Sequence, residues 1–197
     1  MQPQEISMNV SQDTFWGLLV DAARAGDADY YFTLIASGAD PLQRKGYDPE
    51  DYDRDYYNDD AYGETFYRNP PPPELDTILC IAARSGCARI VEHLIGLGED
   101  IQHIGRSGYP ALAYWAKGWN TDNKDCQRGE TFRLLVDAGA SPNDHDNLAR
   151  HILHSRHTGQ EEHPDMALIH EWDREQARKA LSENTATVSA RRSFKRL

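Results

Sequence analysis

Long apolar runs are missing from this 197-residue chain: no stretch approaches the roughly 20 apolar residues that carry a helix across a bilayer. Residues 1–9 lack the basic-then-apolar order of a secretory signal, which predicts a cytoplasmic protein unless an export machine that reads no such signal carries it out. Cysteine is scarce. Cys80, Cys87 and Cys126 cannot all pair, and no two have the short spacing of a zinc knuckle, so reduced thiols are expected, with Cys80 packed inside a helix. Positive charge is short too, 21 Lys and Arg against 32 Asp and Glu, a formal net charge of −11. Such a surface repels phosphates, which argues against direct nucleic-acid binding and favours a basic protein partner. No glycine-rich phosphate loop follows a predicted strand, and neither Ser85 nor Ser107 sits in a nucleophile elbow. With no nucleophile, base and oxyanion donor to assemble, the chain is expected not to be an enzyme and to need no cofactor.

What the chain does have is a repeat. Leu19, Ala22, Ala23, Arg24, Gly26, Ala28, Leu34, Ile35, Gly38 and Asp40 recur sixty positions later, without a gap, as Leu79, Ala82, Ala83, Arg84, Gly86, Ala88, Leu94, Ile95, Gly98 and Asp100. Each copy reads as a helix, a tight turn and a second helix. The spacing predicts helices over 17–25 and 28–37, then over 77–85 and 88–97, with glycine stopping the outer helix where a left-handed backbone is needed. Units this small cannot bury their own apolar faces, so they must stack. A third unit follows from Leu112, Trp115 and Ala116, a step of 33 from Leu79, Ala82 and Ala83, and from Leu135, Val136 and Gly139, a step of 41 from the outer helix. It therefore carries eight extra residues between its helices, within the polar segment 118–129. A degraded fourth unit begins at Asn147 with Leu148, Ile152 and Leu153. Its outer helix is expected over 164–183, burying Met166, Ile169, Trp172 and Ala180.

The step of 33, the segments Ala22-Ala23-Arg24-Ala25-Gly26 and Ala82-Ala83-Arg84-Ser85-Gly86, and the endings Ser37-Gly38-Ala39-Asp40-Pro41 and Ala138-Gly139-Ala140-Ser141-Pro142-Asn143 resemble the ankyrin-repeat family over about residues 15–143. The Thr-Pro-Leu-His opening of that family survives only as Thr77-Ile78-Leu79-Cys80 and Pro110-Ala111-Leu112-Ala113. Trp115 stands where the family has a small residue, which predicts either an inner helix pushed outward or an unusual neighbour. The resemblance implies an all-α solenoid of three clear repeats and a degenerate C-terminal cap (about 147–183), forming one domain over 1–183, with a basic flexible tail over 184–197 that carries Arg191, Arg192, Lys195 and Arg196.

Against a 33-residue step, the interval between the first two copies holds 27 extra residues, a long insertion at about 44–73. Within it, residues 47–68 hold Asp48, Glu50, Asp51, Asp53, Asp55, Asp59, Asp60 and Glu64 against only Arg54 and Arg68, and six of the ten tyrosines: Tyr47, Tyr52, Tyr56, Tyr57, Tyr62 and Tyr67. It closes on Pro70-Pro71-Pro72-Pro73, a stiff spacer. Acidic loops are commonly mere solvated chain, but solvating segments avoid aromatic rings whereas binding surfaces gather them. Acids would steer a basic partner in and phenols would hold it, and mimicry of a polyanion is one specific form of this. An EF-hand-like spacing at Asp53, Asp55, Asp59 and Glu64 fails, because Tyr57 takes a ligand position and Asn58 the glycine position.

Two further patterns stand apart. His151, His154 and His157, followed by His163 and His170, read as surface histidines, with a metal site as the rival reading. Asp21, Ile81 and Tyr114 are the variable positions that face the concave side in ankyrin-like stacks, and with Trp119 they form a candidate binding strip. The sequence thus predicts a non-enzymatic protein-interaction module, monomeric alone and heterodimeric with its partner, without metal or membrane contact. The sharpest form is a bacterial-type inhibitor or immunity protein blocking a basic site on a toxin or nucleic-acid-handling enzyme. The alternatives are a scaffold or delivered effector that bridges host proteins, and a metal-dependent enzyme in the His-rich C-terminal unit.

Overall fold

The computed structural model describes residues 11–42, 76–105, 108–118, 126–155 and 163–194, with side chains in the last helix described to residue 183. The acidic insertion, Trp119 and His157 lie outside the described residues. Among those described there are eight helices and no strand, an all-α architecture. The helices are α1 (Gln12–Ala25), α2 (Ala28–Ala36), α3 (Ile78–Ser85), α4 (Ala88–Gly96), α5 (Ala111–Lys117), α6 (Arg128–Asp137), α7 (Asp144–Ser155) and α8 (Met166–Phe194).

The local chemistry of each helix end follows from its sequence. Ser11 and Thr77 cap α1 and α3, their hydroxyls accepting from the N–H of Thr14 at 3.3 Å and Cys80 at 3.2 Å, and the Asp27 carboxylate caps α2 from the N–H of Tyr30. Gly26 and Gly86 end α1 and α3 in the left-handed region (φ 67° and 72°), so the next N–H turns back onto the carbonyl of Ala22 or Ala82. A side chain at Gly86 would also collide with Cys126 and Arg128.

Odd-numbered helices form one layer, α3 against α1 and α5, and α5 against α7; α2, α4 and α6 back them, each packed on its own partner. Alanines make this possible: Ala22, Ala23, Ala82 and Ala83 are at most 2% exposed, so neighbouring backbones approach closely. Leu19, Leu79, Ile90, Leu94, Leu135, Ile152 and Leu153 fill the continuous core.

The C-terminal unit departs from expectation in two places. α7 opens on a left-handed turn at His145, Asp146 and Asn147 (φ 50°, 56° and 62°), and its right-handed part starts at Leu148. α8 runs to Phe194, past the expected boundary at residue 183 and into the segment expected to be a flexible tail. Ile169 is buried and Met166 and Trp172 are half-buried, but Ala180 is exposed, as is every described side chain of α8 from residue 177 to 183.

Candidate interaction surface

The strip of variable positions is graded rather than uniformly open. Asp21 is exposed and pairs with Arg24 at 3.2 Å one turn along, and Ile81 is half-buried. Tyr114 is only 2% exposed, its ring edge-on to Tyr109 at 6.1 Å, so the accessible tyrosine expected at this position is not there. The Lys117 ammonium in turn lies 4.3 Å from the centre of the Tyr109 ring. Arg24, Arg84 and Lys117 lie in the last turns of α1, α3 and α5 and complement the negative C-terminal ends of those helices, and α7 carries His154 in the same place. The repeat made Arg24 and Arg84 visible in sequence; Lys117 and His154 needed the helix ends to be located.

The helix pairs that bound the insertion pack directly on one another. α1 meets α3 and α2 meets α4, and two polar contacts tie them: Arg89 donates to Asp29 at 2.9 Å, and the Tyr31 hydroxyl meets Nδ1 of His93 at 3.1 Å. Tyr31, Phe32 and His93 form a mutually edge-on aromatic cluster with ring centres 5.3–5.7 Å apart, and the Arg89 guanidinium lies 5.5 Å from the Phe32 ring centre. Burial raises the Tyr31 phenol above its ordinary value, and the Glu99 charge adds to this, so the ring stays neutral and acts as packing with a polar tip.

A second polar cluster clamps the third unit. Trp115 is fully buried; its indole N–H donates to the Arg128 carbonyl at 3.0 Å, while Arg128 Nη2 donates back to the Trp115 carbonyl at 2.7 Å. The guanidinium lies 5.1 Å from the indole ring centre and meets the Asp165 carboxylate through Nε at 2.7 Å and Nη2 at 2.6 Å. Trp115 is therefore accommodated by an unusual neighbour: its ring turns toward Phe132 of α6, 4.9 Å away, with Arg128 over it. Gly118 completes the fit, since a Cβ there would strike the Arg84 carbonyl and Arg128 Nη1. Sequence reasoning marked Trp115 as anomalous but missed Arg128 and Asp165; the signal was a buried indole N–H that needs an acceptor.

Of the histidines, His151, His154 and His170 are exposed, while His163 is half-buried and accepts from the Asp165 N–H at 3.2 Å. Among the described residues no three His, Cys, Asp or Glu side chains converge as metal ligands do. A shallow cleft open to solvent lies between α5 and α7, lined by Gln102, Leu112, Ser141, Asp144, His145 and Leu148 among others. Asp144 spans it, accepting from the Gln102 amide at 3.2 Å and the Ser141 N–H at 2.9 Å. No described helix is long and apolar enough to cross a membrane. Comparison with protein-family models and with curated proteins finds no match to this chain.

Proposed function

We propose that this chain is an ankyrin-like protein-binding module and that its acidic, tyrosine-rich insertion occupies a basic site on a partner, as an inhibitor or immunity protein occupies the site of a toxin or nucleic-acid-handling enzyme. The observation that carries this reading is the direct packing of the pairs α1–α2 and α3–α4 across the insertion, through Arg89–Asp29 and Tyr31–His93. These contacts are all made between residues outside the insertion. Eight carboxylates and six phenols are then best explained by a use outside the fold.

Carboxylates raise the encounter rate with a basic surface through a field that salt screens, and tyrosines hold the complex once formed. Affinity capture from native lysate with the full chain, and with a chain lacking residues 44–73, tests the reading. The expected result is one stoichiometric partner lost on deletion, with that partner's activity blocked only by the full chain. Replacing the eight acids by their amides is expected to slow association about 10–100-fold at low salt and to flatten its salt dependence. An unchanged on-rate would remove the steering role.

A second reading draws on Arg24, Arg84 and Lys117, the cationic side chains in the last turns of α1, α3 and α5. One surface of each sign would suit a scaffold that bridges two partners. Simultaneous capture of two proteins, one lost on deleting the insertion and the other on replacing Arg24 and Arg84, would favour it over the inhibitor.

A further inference from the structure

Cys87 and Cys126 are 39 positions apart in the chain, yet they face each other across an isolated antiparallel bridge. The Gln127 N–H donates to the Gly86 carbonyl at 2.8 Å. A bond from the residue after Cys126 to the residue before Cys87 makes the two cysteines a non-hydrogen-bonded pair, the closer of the two antiparallel arrangements, with Cα atoms about 4.5 Å apart. Disulfides form over Cα separations of roughly 4.4–6.8 Å, so the backbone already meets the requirement. The Cys126 sulfur lies over Gly86, the residue before Cys87, 2.9 Å from where a Cβ on that glycine would be. Only glycine leaves that space. Cys87 is 1% exposed and Cys126 is half-buried, so Cys126 is the more accessible of the two to a reagent. Both are thiols here, as is Cys80.

We propose that Cys87 and Cys126 are a redox-responsive pair that closes to an intramolecular disulfide by exchange with a low-molecular-weight disulfide, stapling the turn between α3 and α4 to the entry of α6. In the first step the Cys126 thiolate attacks one sulfur of the reagent disulfide, forming a mixed disulfide and expelling one thiolate, which takes up the proton Cys126 has lost. In the second, Cys87 loses its proton and attacks the Cys126 sulfur; the protein disulfide forms and the second reagent thiolate leaves with that proton. Two protein thiols are oxidised and one reagent disulfide is reduced to two thiols. The ring so closed holds α4 and α5, and Cys80, buried on α3 away from the bridge, takes no part.

The test uses the full chain in its folded state with oxidised glutathione as the probe, followed by denaturation, alkylation of remaining thiols and tryptic mapping. Cleavage after Arg84, Arg89, Lys124 and Arg128 separates the two cysteines into different peptides. The expected product joins those peptides with the loss of two hydrogens, leaves Cys80 as the one alkylated cysteine, and retains no glutathione. Cys87→Ala should instead trap glutathione on Cys126, and Cys126→Ser should leave Cys87 unreacted in its buried position. The oxidised chain should melt roughly 5–10 °C above the reduced one, because a ring of this size restricts the unfolded chain. Glutathione persisting on Cys126 in the unaltered chain, a bond to Cys80 or between molecules, no reaction, or an unchanged or lower melting temperature would each overturn the proposal.

Discussion

The same three chemical groups, an arginine, an aspartate and an aromatic ring, join neighbouring helices at both ends of the molecule, and the two versions could hardly differ more in consequence. At the α2–α4 junction Arg89 reaches Asp29 and Phe32 with side chains 50% and 85% exposed for the ion pair. At the α5–α6–α8 junction Arg128 reaches Asp165 and Trp115 with the pair 7% and 14% exposed. Water can replace the exposed Arg89–Asp29 contact of the first cluster. In the second it cannot, so each group depends on the others for its solvation. Residue identity names the contact, and burial sets its energetic weight.

The largest expected effect comes from removing one member of the buried cluster. Arg128→Ala or Asp165→Asn should lower unfolding free energy by about 3–5 kcal/mol in denaturant titration, because an uncompensated partner is left inside. A loss below about 1 kcal/mol would make the two clusters equivalent. Gly118→Ala attacks the same cluster from its covering side, forcing a methyl group into the Arg84 carbonyl and Arg128 Nη1, and should cost about 1–3 kcal/mol by the same titration.

An intermediate case sharpens the scale. Arg150 holds Asp173 with two hydrogen bonds of 2.9 and 2.7 Å between α7 and α8, the aspartate side chain being 41% exposed. Those bonds, outweighing partial burial, hold the Asp173 carboxyl below the usual carboxylate range. Because the folded state binds this proton less readily than the unfolded chain, the contribution is complete above the unfolded value near pH 4 and disappears as pH falls through the lower folded one. Melting temperatures from about pH 6 to about pH 3 should therefore fall less steeply in Asp173→Asn than in the unaltered chain. Parallel curves would show that the pair carries no pH dependence. Asp29→Asn is placed last, with an expected change within about 0.5 kcal/mol, most of it lost at high salt. A cost several times larger would mean that the α2–α4 junction relies on its surface charges.

Much of this arrangement was legible in the residues themselves. Period and apolar spacing located the helices of the first two units to within a residue or two, except that α1 starts at Gln12, because Ser11 caps it ahead of the shared repeat. Thr77 was expected inside a helix and caps one instead, a difference its β-region backbone and side-chain oxygen explain. The accessible Tyr114 failed for a different reason. Its position in the repeat faces outward, but Tyr109, from a loop with no fixed place in that repeat, lies against it. The carboxylates and phenols of the insertion, Asp48 through Tyr67, and the indole of Trp119 fall outside the described residues, so the proposed interface rests on composition and on the contacts between the helix pairs that flank the insertion.

By itself the sequence determined an all-helical chain, most helix ends of the first two helix pairs to within a residue or two, and the alanine faces that let neighbouring helices approach, because periodicity and capping act within a few residues of the position they govern. Tertiary structure alone decided which distant groups meet: Arg128 with Asp165 and Trp115, Arg89 with Asp29, and Cys87 with Cys126. Those encounters depend on how whole helix pairs are laid side by side and on how much water that packing leaves at each contact, and neither quantity is local to any stretch of chain.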